Sequence, residues 1–213
     1  MSIAQTTKTK RLTRTYNGTL MTPQEFDAVR EWDERYRFEL INGVVIVSPH
    51  PAEGERGPND TLGHWLYLYR DQNPEGFRLD ATLPEQTVLG SENRRRADRA
   101  IWLGLGRLPN LQLDVPSIVA EFVSKRKRDR TRDYEEKRRE YQAIGVSEYW
   151  VIDRFQRTMT VYKSLPGELA ELIVKAEETY RTPLLPGFEL PLAKLLKVAD
   201  DWAESARRRQ NQQ

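Results

Sequence analysis

The chain has 213 residues, 38% of them hydrophobic and 31% charged, with a formal net charge of +2. That is enough chain to bury one sizeable core, and too little net charge to declare a nucleic-acid binder by itself. Cysteine is absent, which excludes a disulfide framework and thiolate metal sites. No apolar run approaches the roughly 18 residues of a membrane span.

The N-terminus, MSIAQTTKTKRLTRTY, is basic and threonine-rich without an apolar h-region, so it reads as a tail and not a secretory signal. Residues 1–18 are expected to form that tail, 19–200 a single domain, and 201–213 a polar C-terminal tail. Residues 22–33 have an N-cap threonine, Pro23 in the first turn and Glu25 near the positive end, which predicts a helix. In YRFELINGVVIVSP the Asn-Gly pair between apolar runs predicts a hairpin of strands 36–41 and 44–48. Leu62, Trp65, Leu66 and Tyr69 recur at helical spacing and predict a helix over 59–72.

FRLDATL, EQTVLG and ADRAIWL follow as strands within 76–103. Residues 115–123 are almost continuously apolar and predict a strand buried on both faces. A helical pattern covers 130–143 and stops at Gly145. VSEYWVID and TMTVYKS are two strands, AELIVKA and ETYRT a further pair, and a last helix covers 192–206. Strands interleaved with a few helices give an α/β (mixed α+β) fold round one mixed sheet.

Three acids sit inside these strands. Glu121 interrupts Ile118-Val119-Ala120 and Phe122-Val123, Asp98 precedes Ala-Ile-Trp-Leu, and Glu39 lies in Phe-Glu-Leu-Ile. An ionised carboxylate in an apolar strand needs a cation or a hydrogen-bond network. Hard oxygen ligands gathered at one sheet edge suit Mg²⁺ or Mn²⁺.

Lys137 falls three residues after Tyr134 and four before Tyr141, on the apolar stripe of its helix. Its stem could pack on the sheet with the head reaching water, or its head could reach the carboxylates of a neighbouring strand, with Asp133 orienting it. Two basic runs adjoin the acids: Arg94-Arg95-Arg96, and Lys125-Arg126-Lys127-Arg128 continuing to Arg132. Beside embedded acids, they point to a phosphate-bearing substrate. His50 and His64 are the only histidines and fit no histidine-rich metal spacing. No Gly-x-Ser-x-Gly elbow, Walker loop or dinucleotide fingerprint occurs.

FELINGVVIVSP (38–49), RRADRAIW (95–102), VAEFVS (119–124), DYEEKRREYQAIGVSEYWVID (133–153) and TPLLPGFELPLAKLL (182–196) together resemble the Uma-type (Uma-two) restriction-endonuclease-like family. That family is a branch of the PD-(D/E)XK nuclease superfamily. The resemblance implies a restriction-endonuclease-like core, a central mixed sheet flanked by helices, and a metal-dependent site. It places the family's acids on Glu39, Asp98 and Glu121. The lysine usually two residues after the last acid would stand at 123, which is Val123 here; Lys137 takes that role, with Lys125 as its rival. The proline usual before the aspartate is Ala97.

A Mg²⁺- or Mn²⁺-dependent endonuclease acting on DNA is therefore expected, with Asp98, Glu121 and Glu39 as metal ligands and Lys137 as the catalytic cation. Arg94–Arg96 and Lys125–Arg128 would hold phosphates without reading sequence. Two alternatives stand beside it: a catalytically silent nuclease fold that binds DNA or a partner, and a hydrolase of RNA or another phosphodiester. The setting is expected to be cytoplasmic with no membrane partner, and a homodimer remains open.

Overall fold

The computed structural model describes residues 11–124, 132–165 and 168–210, with backbone alone for 132, 133, 165, 168, 169 and 210. The chain forms two compact units: residues 1–50 with 89–96, and residues 51–88 with 97–213. The chain passes between the units inside or beside regular elements.

In the first unit, strand β1 (Arg11–Leu12) pairs in parallel with β2 (Glu31–Trp32). Leu12 is fully buried, so ordered structure begins inside the stretch expected to be a tail. Helix α1 (Pro23–Asp27) opens with a capping box, in which Glu25 N–H donates to Thr22 Oγ1 and Thr22 N–H donates to Glu25 Oε2. It is shorter than expected from residues 22–33. Trp32 is drawn away to pack its ring 5.0 Å from Phe26 and 5.3 Å from Phe38, in a core with Leu12, Met21, Leu40 and Val45.

Strands β3 (Tyr36–Ile41) and β4 (Val44–Pro49) form the expected hairpin. Asn42 and Gly43 turn it with φ of 49° and 74°, the pair of positive angles that a two-residue turn requires. Strand β3 also pairs with the start of a later strand, Leu40 opposite Arg94.

The second unit is layered. Helix α2 (Glu53–Gln72) leads to β5 (Leu79–Leu89), which pairs with β6 (Arg94–Leu103). Strand β7 (Ile118–Phe122) lies antiparallel to β6 and parallel to β8 (Glu148–Asp153). Strands β9 (Thr158–Leu165) and β10 (Glu168–Lys175) continue the sheet in antiparallel fashion. Strand β10 therefore pairs with β9; Thr179–Tyr180 (β11) instead pairs with Leu190–Pro191 (β12).

Between β7 and β8, residues 132–136 form a π-helical turn that runs into helix α3 (Lys137–Ala143). Gly145 follows with φ of 93°, a left-handed stop suited to glycine. Helix α4 (Leu192–Gln210) closes the chain, extending through residues expected to be a tail.

Alternation along β7 sorts its side chains into two cores. Ile118, Ala120 and Phe122 pack with Leu62 and Leu66 of α2 and Leu192, Leu195 and Leu196 of α4. Val119 and Val123 face the other way, onto Tyr141, Val146, Tyr149 and Val151. The mixed α/β architecture agrees with the expected restriction-endonuclease-like core. Among the described residues no helix is long and apolar enough to cross a membrane.

Candidate active site

Glu121 stands between Val119 and Val123 in the alternation, so its side chain points to the α3 face of the sheet. The helix meets it there. Lys137 Nζ lies 2.7 Å from Glu121 Oε1, and Tyr141 Oη donates to the same oxygen at 3.1 Å. Lys137 and Tyr141 are four residues apart, which puts both over the strand on one helix face. Lys137 is 1% exposed and Glu121 2%. The lysine head thus reaches the carboxylate and not water.

Lys137 is the first residue of α3, directly after the π-helical turn. Such turns change the phase of a helix face and recur at functional sites. An opposite charge in close contact is what makes a buried carboxylate tolerable in this strand.

Asp98 approaches from β6. The β6–β7 register sets Arg99 opposite Ala120 and Ile101 opposite Ile118. One more residue along places Asp98 opposite Glu121, on the same face. Asp98 Oδ2 accepts the Phe122 N–H at 2.8 Å, so the carboxylate side chain occupies the position just past the last ladder pair. Two carboxylates on adjacent strands, with a lysine and a tyrosine converging on one of them, form the candidate site.

Behind the sheet, Asn59 of α2 donates its Nδ2–H to the Asp98 carbonyl at 2.7 Å. Arg99 donates from Nε to Asn59 Oδ1 at 2.7 Å, from Nη2 to Asn59 O at 2.9 Å and from Nη1 to Thr82 Oγ1 at 3.0 Å. Burial pulls the Arg99 guanidinium down to about 10, partly offset by Asp60 and Tyr67. Neither Asn59 nor the role of Tyr141 stood out in the sequence. Tyr141 was visible only as part of an apolar stripe, and Asn59 only as a polar residue at a presumed helix start.

Glu39 belongs to the first unit. It is 4% exposed, and its Oε1 accepts the Arg96 N–H at 3.0 Å, two residues before Asp98 along β6. Among the described residues no group of three or more acids or histidines forms a ready cation cage. The fit to a hard divalent ion therefore rests on the oxygen donors of Asp98 and Glu121, whose type is the one such ions select.

The arginine run opens strand β6. Strand β6 starts at Arg94, three residues earlier than expected, and takes the run into the fold. Arg94 grips Asp27 with two hydrogen bonds, at 2.8 and 2.7 Å, and its Nη1 donates to the carbonyls of Gly90 and Asn93. Arg95 is 2% exposed and Arg96 half-buried. Arg94 is thus engaged by Asp27 and two backbone carbonyls, and Arg95 is buried. Lys125, Arg126, Lys127 and Arg128 lie outside the described residues, as does the Asp133 side chain.

A family model described as "Putative restriction endonuclease", Uma2, matches residues 23–193. A solved crystal structure described as a "putative nuclease belonging to DUF820" from Anabaena variabilis aligns with a TM-score of 0.64 at 17% identity. The alignment covers 84% of this chain and 99% of that one. At that identity the likeness is one of fold. No curated protein matches the chain.

Proposed function

The chain belongs to the Uma2 family, and from that premise we propose that it is a divalent-metal-dependent nuclease of PD-(D/E)XK type acting on DNA. One observation carries this reading: a buried lysine from α3 contacts Glu121 beside Asp98. Asp98 and Glu121 would hold Mg²⁺ or Mn²⁺. When bound, such an ion supplies charge that polarises a phosphoryl oxygen and eases deprotonation of the attacking water.

The chain's own groups do the rest. Lys137 would bring an ammonium to the extra negative charge that develops on the phosphate in the transition state. Tyr141 would keep Glu121 in place as Lys137 turns from the carboxylate to the substrate. Glu39 enters as a third acid on the family resemblance alone. Lys125–Arg128 would contact flanking phosphates, which makes binding salt-dependent and insensitive to sequence. The lack of cysteine suits a reducing, cytoplasmic setting.

A second reading draws on the burial of Lys137 and Glu121. As they stand, both are closed to a phosphate, which favours a nuclease fold retained for binding alone. Incubation with duplex DNA, single-stranded DNA and RNA, in Mg²⁺ and in chelator, separates the readings. Mg²⁺-dependent loss of duplex DNA is expected. Cleavage of RNA alone would move the substrate class, and retention of DNA without cleavage would establish the binding module.

A further inference from the structure

We infer that Asn59 and Arg99 form a positioning pair that holds Asp98 from the far face of the sheet, acting through its backbone carbonyl. This rests on Asp98 being a site residue. The β6–β7 ladder spans Arg99–Ile101, so Asp98 lies one residue past the last paired position. There the Phe122 N–H goes to the Asp98 side chain at 2.8 Å. The carbonyl of Asp98 is instead held by Asn59 Nδ2, 2.7 Å away.

Asn59 is 4% exposed and Arg99 3%, and their chemistry fixes the orientation of the amide. A guanidinium only donates, so the Asn59 oxygen must face Arg99 Nε, as it does at 2.7 Å. The amide nitrogen is then obliged to face Asp98 O, which only accepts. Arg99 thereby decides which end of Asn59 meets the backbone at Asp98.

The surroundings are shaped for this arrangement. The three Arg99 hydrogen bonds go to neutral oxygens of Asn59 and Thr82, a costly setting for a buried cation. Helix α2 also carries Gly63 where a Cβ would come 2.6 Å from Arg99 Nη2. A simple tie between helix and sheet would need neither a charge nor a glycine.

Asn59→Asp tests the pair in the full chain. It keeps the size of the side chain and gives Arg99 an anionic partner, but turns an oxygen toward the Asp98 carbonyl. Amide hydrogen exchange reads the result without metal or substrate. Phe122 protection is expected to fall about tenfold or more while Ala120 keeps the parent rate, because Phe122 donates to Asp98 Oδ2 whereas Ala120 sits in the ladder opposite Arg99. Mn²⁺ affinity, measured by calorimetry, should fall about 10–100-fold, the scale for losing a supporting group behind a metal ligand.

Parent-like exchange at Phe122, or equal loss at Phe122 and Ala120, would overturn the inference. If Asn59→Asp does not fold, Thr82→Val removes a single Arg99 acceptor and should give the same selective loss, smaller in size; its absence would overturn the pair. A parent protein that neither binds Mn²⁺ nor cleaves would defeat the nuclease reading while leaving the Phe122 result to stand or fall separately.

Discussion

Lys137 and Glu121 bind each other inside the protein, which changes what substitution at either position means. Lys137→Met keeps the stem's packing, and a view from sequence alone expects it to spare stability. With both groups at most 2% exposed, the variant takes the cation away from a buried carboxylate. Urea denaturation should show a loss of about 3–5 kcal/mol, the usual cost of breaking a buried pair from one side. Lys137→Met with Glu121→Gln should recover most of it. A single variant as stable as the parent would show that the pair contributes nothing to the fold.

Glu148 is a second buried acid, and its environment differs. It accepts from Trp150 Nε1, Tyr180 Oη and Thr182 Oγ1, with Lys163 Nζ 3.5 Å away. This set satisfies the carboxylate with donors from three segments of the chain and leaves it a structural anchor. Embedded acids are thus legible in sequence as exceptions to an apolar pattern. What distinguishes a site acid from an anchor is the partner, and partners distant in the chain are not legible. Arg94 illustrates the same limit, since its ion-pair partner Asp27 stands 67 residues away.

At the scale of elements, local signals read well and tertiary ones did not. The Asn42-Gly43 turn, the Thr22–Glu25 capping box and the Lys137–Tyr141 helix face depend on neighbours within a few residues. Helix α2 was expected to begin after Pro58 but starts at Glu53. The proline stands on its buried side and is carried by packing. That packing includes α4, whose Trp202 indole lies so close to Gly57 that an added Cβ would overlap it. Gly57→Ala should therefore destabilise by about 1–3 kcal/mol in thermal or urea unfolding, as overpacking does. Gly57→Ala with Trp202→Ala should lose less than the sum of the two. Strict additivity would show that the two helices do not meet through this pair.

For the molecule as a whole, burial of tyrosines sets the alkaline limit. Tyr69, Tyr134, Tyr162 and Tyr180 are all raised above 10.0, chiefly by burial, with Glu148 adding to the effect at Tyr180. A raised folded-state value means the unfolded chain releases these protons first, so stability is full below about pH 10 and declines as pH rises beyond it. Tyr180→Phe should flatten part of that decline in denaturation curves recorded from pH 9 to about 11. An unchanged slope would remove Tyr180 from the account. If the proposed function holds, reversal of Lys125–Arg128 should weaken DNA binding and shallow its salt dependence, as fewer counterions are released.

The proposed nuclease function stands on Asp98 and Glu121 as a metal-dependent hydrolytic site. Asp98→Asn probes it most directly, because an amide oxygen can still accept the Phe122 N–H while the ligand charge is gone. Nicking of supercoiled plasmid in Mg²⁺ should proceed with the parent and fall at least about 100-fold with Asp98→Asn, given that even outer-shell losses reach that scale. Equal Mg²⁺-dependent nicking by the two proteins would contradict the account.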